Sequence, residues 1–279
     1  MRKRTVKNRG LSDSKWMIIL LVIYVVLTLL ATILYQYVPI IVDFGLFGEE
    51  SFYASIITGM YNSIIDFVIL TIILSIILDQ NRKKEIVRGY QEEIDNCRFW
   101  KDKEAAYRIR ALILRLQENK VYTVDLTKCF METVIMKKIR LEESKLMGAV
   151  LSESNIEQSE FYNCDFQGVF FENAILRNSF FEKCNLKHLK CRESQLRGIK
   201  IVDSDLENAD FTNADMKAAM IKSCNLKKVK FDNANLDRAN LLGCANINPI
   251  DLAKSKSLKN AHLDEELRKK ILKINPELL

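Results

Sequence analysis

Three prolines, two histidines and nine glycines are all that this chain of 279 residues holds of those types, and each shortage closes off a class of answer. No proline lies between Pro39 and Pro249. Nothing in that stretch removes a backbone donor, so a continuous hydrogen-bonded ladder can run through it. The only histidines are His188 and His262, and neither has a carboxylate or thiol at a spacing that suggests a triad or a metal site. The glycines are scattered, and none of them builds a phosphate-cradling loop. An excess of one charge is also missing: 42 Lys and Arg face 36 Asp and Glu, for a formal net charge of +6. No catalysis, no metal and no cofactor are expected.

What the chain does have is a period. From Leu126 to Leu241 a large apolar residue returns at every fifth position, 24 times, with Cys191 the single lapse. Two positions before each of these, Ala, Ser or Cys fills 17 places and Val, Ile or Leu the other seven. A period of five fits neither helix nor strand. It denotes stacked units that put one large and one small residue inward per repeat. The stretch 209–246, ADFTNADMKAAMIKSCNLKKVKFDNANLDRANLLGCAN, and more loosely 124–141, VDLTKCFMETVIMKKIRL, resemble the pentapeptide-repeat family with its Ala-(Asp/Asn)-Leu-x-x pattern.

That resemblance implies an all-β fold, a right-handed quadrilateral β-helix with 20 residues per coil and about six coils over 122–246. Residues 20 apart should then stack at roughly 4.8 Å. Two such columns, Leu126, Leu146, Phe166, Leu186, Leu206, Leu226 and Leu141, Phe161, Phe181, Ile201, Ile221, Leu241, are apolar throughout. Cys164, Cys184, Ser204, Cys224 and Cys244 would share a third column. The small inward site accepts Ala, Ser or Cys alike, so packing accounts for them better than a metal or redox ladder does.

Long uncharged runs fill the front of the chain. Trp16 to Val38 carries no charge and Ser55 to Leu78 carries only Asp66; each can cross a bilayer core of about 30 Å. Arg2, Lys3, Arg4 and Lys15 precede the first run and Arg82, Lys83 and Lys84 follow the second, while the loop between them, 39–54, has acidic residues and no basic one. The positive-inside rule puts both chain ends in the cytoplasm, with these basic groups facing anionic lipid. The first run is too long for a signal-peptide core and lacks a cleavage pattern, so an uncleaved anchor is expected. Together with the bacterial source that the resemblance implies, this predicts a two-span protein of the inner membrane.

The expected order is a basic tail (1–15), a transmembrane hairpin (16–79, spans 16–38 and 55–78), a helical connector and N-terminal cap (80–121), the β-helix (122–246) and a helical C-terminal cap (247–279). In the connector Ile86, Tyr90, Ile94 and Cys97, then Ala105, Ile109, Leu112 and Leu116, follow three-four spacing. Its last turns are expected to fold over the first coil. A coiled-coil stalk is the alternative, weakened by Gly89 and by a break of phase near Trp100.

Two features stand apart from this frame. A carboxyl at mid-bilayer costs several kcal/mol unless it is neutralised, paired or wet. Asp66 shares a polar stripe with Asn62 and Ser63, and Thr28 of the first span lies at a similar depth. The group either glues helices, through Thr28 or a second copy, or lines a polar path where hairpins assemble. The second feature lies on the outward positions just before the large residues, which usually carry Asp, Asn or Lys. In the early coils they carry Phe130, Val150 and Phe170 in one column, Ile135 and Ile175 on the next face and Phe180 on a third. Contiguous apolar surface implies a cover, supplied by the connector, a protein partner or a second copy.

Some pentapeptide-repeat proteins resemble duplex DNA in shape and charge and occupy type II topoisomerases, which demands an acidic surface. From Asp125 to Arg238 the chain has 18 acidic and 18 basic residues, so mimicry and nucleic-acid binding are not expected. The expectation is a membrane-anchored scaffold or recognition module with an unidentified protein partner and a possible homo-oligomer. The rival is a membrane effector whose clustered hairpins leak ions.

Overall fold

The computed structural model describes residues 9–35 and 50–279, in two compact units that divide after Glu85. Arg2, Lys3, Arg4 and most of the expected loop lie outside the described residues. The first unit holds helix α1 (Arg9–Tyr35) and the start of α2 (Glu50–Cys97). Leu21–Leu34 of α1 and the stretch of α2 from Ser55 to Leu78 are apolar on nearly every side, a pattern that belongs in a core or in lipid. Here Val22, Val26, Leu30 and Ile33 of α1 and Ile65, Ile69, Ile72 and Ile76 of α2 are exposed. Among the described residues one helix, from Ser55, is long and apolar enough to cross a membrane. The described apolar stretch of α1, Leu21–Leu34, is shorter than the roughly 20 residues a span requires.

The second unit begins within α2. Ile94 and Cys97 are buried, and Gln91 clamps the first coil with its side-chain amide donating to the Asp125 carbonyl at 2.8 Å and accepting the Asp125 amide at 3.0 Å. Arg98 adds bonds to the Asp125 carboxylate at 3.2 Å and to the Thr127 carbonyl. Asp102 then caps α3 (Lys103–Glu118) by accepting the Glu104 amide at 2.8 Å. This side chain satisfies one of the orphan donors at the helix start. The apolar stripe of α3, Ala105, Ile109, Leu112, Ile113 and Leu116, is buried, with Ile113 lining the same interior space as Leu126, Met131 and Met136. An open coil would expose its large inward residues; α3 covers them.

From residue 125 onward the backbone pairs with itself in steps of 20, always in parallel. Four ladders result: Asp125, Lys145, Asp165, Asn185, Asp205, Asn225, Ala245; Phe130, Val150, Phe170, Lys190, Asp210, Lys230; Ile135, Asn155, Ile175, Gln195, Asp215, Asn235; and a fourth through strands β1 (Arg140–Glu142), β2 (Glu160–Tyr162), β3 (Phe180–Glu182), β4 (Lys200–Val202) and β5 (Met220–Lys222). The four ladders are the sides of a parallel β-solenoid. The large residues fill its interior, where the Phe161 ring lies 4.6 Å from Phe181 and 5.0 Å from Phe166. The small inward residues are buried too, and their polar atoms are used: Ser144 Oγ accepts the Val124 amide at 3.0 Å and donates to the Tyr122 carbonyl at 3.0 Å.

After Ala245 the step changes. Asn235 pairs with Ser257 and Asn240 with His262, 22 residues on, because a helical turn, α4 (Pro249–Leu252), is inserted. Leu258, Ala261 and Leu263 still face inward. Helix α5 (Glu265–Ile274) closes this end with Leu267 and Ile271, its acidic residues in the first turn and Lys273 in the last, as the helix dipole favours.

Candidate interaction surface

Each five-residue unit turns a corner, and the second residue after the large one takes a left-handed conformation, from Lys128 (φ 57°) to Arg238 (φ 57°). Side chains other than glycine pay about 1–2 kcal/mol there. The corner is held from one side by the ladder and from the other by the outward residue just before the large one. Where that residue is Asp or Asn, its side-chain oxygen accepts the amide two positions on, as in Asp165 to Gln167 (3.0 Å), Asp205 to Glu207 (3.0 Å), Asp210 to Thr212 (3.1 Å) and Asn240 to Leu242 (3.0 Å). This Asx bond is the physical reason for Asp and Asn in the repeat.

Phe130, Val150, Phe170, Ile135 and Ile175 cannot make it. Each forgoes a hydrogen bond worth about 0.5–1.5 kcal/mol and leaves an apolar side chain half-buried or, for Ile135, 54% exposed. The ladder brings Phe130, Val150 and Phe170 into one column and sets Ile135 and Ile175 on the next face with Asn155 between them. Phe180, on the strand face, packs edge-on against Tyr162 at 5.5 Å. The connector reaches this surface at Phe130, where Lys101 Nζ lies 4.9 Å from the ring centre, and at Ile135, whose carbonyl accepts from Arg110 Nε at 2.5 Å. Phe99 and Trp100, between α2 and α3, are exposed at 67% and 58%. Sequence reading met them only as a break of helical phase.

Titratable groups on the solenoid are arranged for structure. Burial pushes the Asp210 carboxyl up, but the Thr212 hydroxyl and amide, and then Arg192, outweigh it and hold the group below its ordinary value. Burial drives the Cys129 thiol up to about 12 and raises Cys191 further. Hydrogen bonding to the neighbouring thiol, with burial, raises Cys184 and Cys224. Cys164 and Cys184 donate to the Tyr162 and Glu182 carbonyls at 3.3 and 3.4 Å. All seven cysteines are free, and among the described residues no three His, Cys, Asp or Glu side chains group to hold a metal.

In the first unit Thr28 is 1% exposed, but its hydroxyl donates to the Tyr24 carbonyl at 2.8 Å, so its one proton is not offered to Asp66. The helices are joined instead at Thr32, which donates to the Thr28 carbonyl and accepts from the Tyr61 hydroxyl at 3.0 Å. Ser63 turns back to the Gly59 carbonyl at 2.8 Å. Asp66 and Asn62 are exposed, and neither has a hydrogen-bond partner among the described residues. Farther along, Lys83 pairs with Asp79 at 2.9 Å, with Arg82 and Lys84 exposed beside it. The side chain of Lys15 lies outside the described residues.

No curated protein matches the chain. Among solved structures it is similar to full-length QnrB1, a plasmid-mediated fluoroquinolone resistance protein, at 15% identity over 52% of this chain and 97% of that one, with a TM-score of 0.30. It is also similar to the pentapeptide repeat protein Rfr23 from the cyanobacterium Cyanothece 51142 (18% identity, 54% and 96% covered, TM-score 0.21). A third is HetL, a pentapeptide repeat protein involved in heterocyst differentiation regulation from Nostoc sp. strain PCC 7120 (15%, 55% and 94%, TM-score 0.25). The family described as "Pentapeptide repeats (8 copies)" matches residues 135–173, and "Pentapeptide repeat region" matches 165–241. Together the two family models match residues 135–241, the stretch that carries the four parallel ladders and the Asx-held corners.

Proposed function

We propose that the chain is a non-enzymatic scaffold of the bacterial inner membrane, held by a two-helix hairpin and presenting a six-coil repeat rod to protein partners in the cytoplasm. One observation carries the reading: the early coils keep apolar residues outward at positions where Asp or Asn would give a hydrogen bond, a choice that stability alone disfavours. The outward-facing apolar residues of α1 and α2 supply the anchor, and the basic groups around Arg82, Lys83 and Lys84 supply its cytoplasmic lipid contact. The neutral charge of the repeat region supports a protein partner over nucleic acid.

The full chain, tagged at its C-terminus, should sediment with membranes, resist high salt and release in detergent together with a second protein at fixed stoichiometry. Recovery in the soluble fraction would overturn the anchor. A closed ring of many copies with no other protein would replace the scaffold with the effector, whose support is the exposed carboxylate of Asp66 within an otherwise apolar helix.

A further inference from the structure

The face built on Ile135, Asn155, Ile175 and Gln195 lies between two corners of opposite charge. On the side of the Phe130 ladder the corner carries Glu132, Glu153, Glu172 and Glu193 with one base, Arg192; on the side of the strand ladder it carries Lys137, Lys138, Arg177 and Arg197 with one acid, Glu157. Among the described residues none of those four glutamates is in an ion pair within the chain, whereas Lys137 and Arg177 share Glu157 and Arg197 meets Asp215. The face is thus apolar and amide along its midline, net acidic on one edge and net basic on the other.

We infer that this face is the docking site for a second copy of the same chain, with the two solenoids side by side and parallel about a two-fold axis that runs along their length. The symmetry follows from the charges. Rotation about an axis parallel to the rod exchanges left and right, so each acidic edge meets the other copy's basic edge. At equal height Glu132 then faces Lys137 and Lys138, Glu172 faces Arg177, and Glu193 faces Arg197; Glu153 faces Glu157, an acid whose charge Lys137 and Arg177 already offset within the chain. Rotation about an axis across the rod would set acid on acid and base on base, and like-charge juxtaposition opposes that. In the parallel arrangement the midline residues meet their own copies, Ile135 on Ile135 and Ile175 on Ile175, as an isologous contact requires. Both entering chain ends also lie at one end of the pair, the geometry that two copies anchored in one membrane can adopt without strain. That last point rests on the proposed anchor; the charge argument does not.

The test places a cysteine on the midline of the full-length chain in native membranes. Asn155→Cys, oxidised by copper phenanthroline with air, should give a reducible species of twice the chain mass, as should Ile175→Cys. The parent chain should not, since six of its seven cysteines are buried. Glu172→Arg should cut the linked yield of Asn155→Cys roughly tenfold, and adding Arg177→Glu should restore it, because only the relation of the two edges has changed. No linkage at either midline site would overturn the proposal. So would linkage only between Asn155→Cys and Asp215→Cys copies, the antiparallel result, or a yield indifferent to Glu172→Arg. Fractionating the same samples separates the two readings: linkage with a soluble chain retains the pair and removes the anchor, and membrane retention without linkage does the reverse.

Discussion

At the scale of single residues, the left-handed corner sets the strongest demand. Ala218 sits at φ 56° and gains nothing from its methyl group there, so Ala218→Gly should raise stability by up to about 1 kcal/mol, read from a urea melt. Gly198 is the reverse case. At φ 66° an added Cβ would be strained and would meet Asn178 Oδ1, and Gly198→Ala should lower stability by about 1–2 kcal/mol. These corners were partly legible: Gly148, Gly168, Gly198 and Gly243 share one phase of the five-residue register, which a view of the glycines as scattered overlooks. The signal is diluted because Lys, Glu and His occupy the same phase, held left-handed by the ladder on each side. A second prediction concerns the Asx bond. Phe170→Asn supplies the missing acceptor in place of a half-buried ring, so the melting temperature should hold or rise while any contact made through this surface is lost.

Acid sensitivity belongs to the same scale. Asp210 accepts the Thr212 hydroxyl at 2.6 Å and Arg192 Nε at 2.9 Å, and Asp125, which burial raises, is lowered on balance by Thr127 and then Arg98. A carboxyl lowered in the folded state stabilises fully above its unfolded value and loses that contribution as pH falls through the lowered native one. Stability should therefore fall as the pH drops below about 4, the ordinary carboxylate range. Asp210→Asn should lower the neutral melting temperature and flatten that limb; an unchanged limb would show that Asp210 is not one of the groups responsible.

At the scale of elements, a solenoid is a stack of nearest neighbours whose ends must be closed. Ile113 on α3 is fully buried over the first coil. Ile113→Asp would put an unpaired carboxylate there and should expose the end, read as lower helix content, a loss of several kcal/mol and self-association. The period made the coils legible because each side needs one large filler, and Leu126 through Leu241 supply it almost without lapse. The ends were less so. An amphipathic stripe foretells that α3 lies on something apolar but not on which coil. The two extra residues around Pro249 that shift the last pairings to Ser257 and His262 show only as a broken period, with the pseudo-repeat of Leu258, Ala261 and Leu263 two residues out of phase with Leu241 yet still inward. The exposed pair Phe99 and Trp100 escaped for a similar reason: a break between helices carries no periodicity to read.

At the scale of the whole molecule, scaffold and effector part over Asp66. An effector needs the carboxylate at its polar lining, so Asp66→Leu should abolish ion leakage or toxicity on overexpression. A scaffold should keep its partner and insert into membranes at least as well, since a costly group has been removed from an apolar helix. Dye release from vesicles, measured beside co-purification, separates the outcomes.

The fixed step of 20 residues between paired neighbours has a mechanical corollary. Force applied between the two termini would act on windings joined in series, each resting only on the next, so yielding would proceed one winding at a time from the weaker extremity. Every release would lengthen the thread by about 70 Å, giving evenly spaced drops in a stretching trace. Such a device limits the tension that reaches whatever is tethered beyond it.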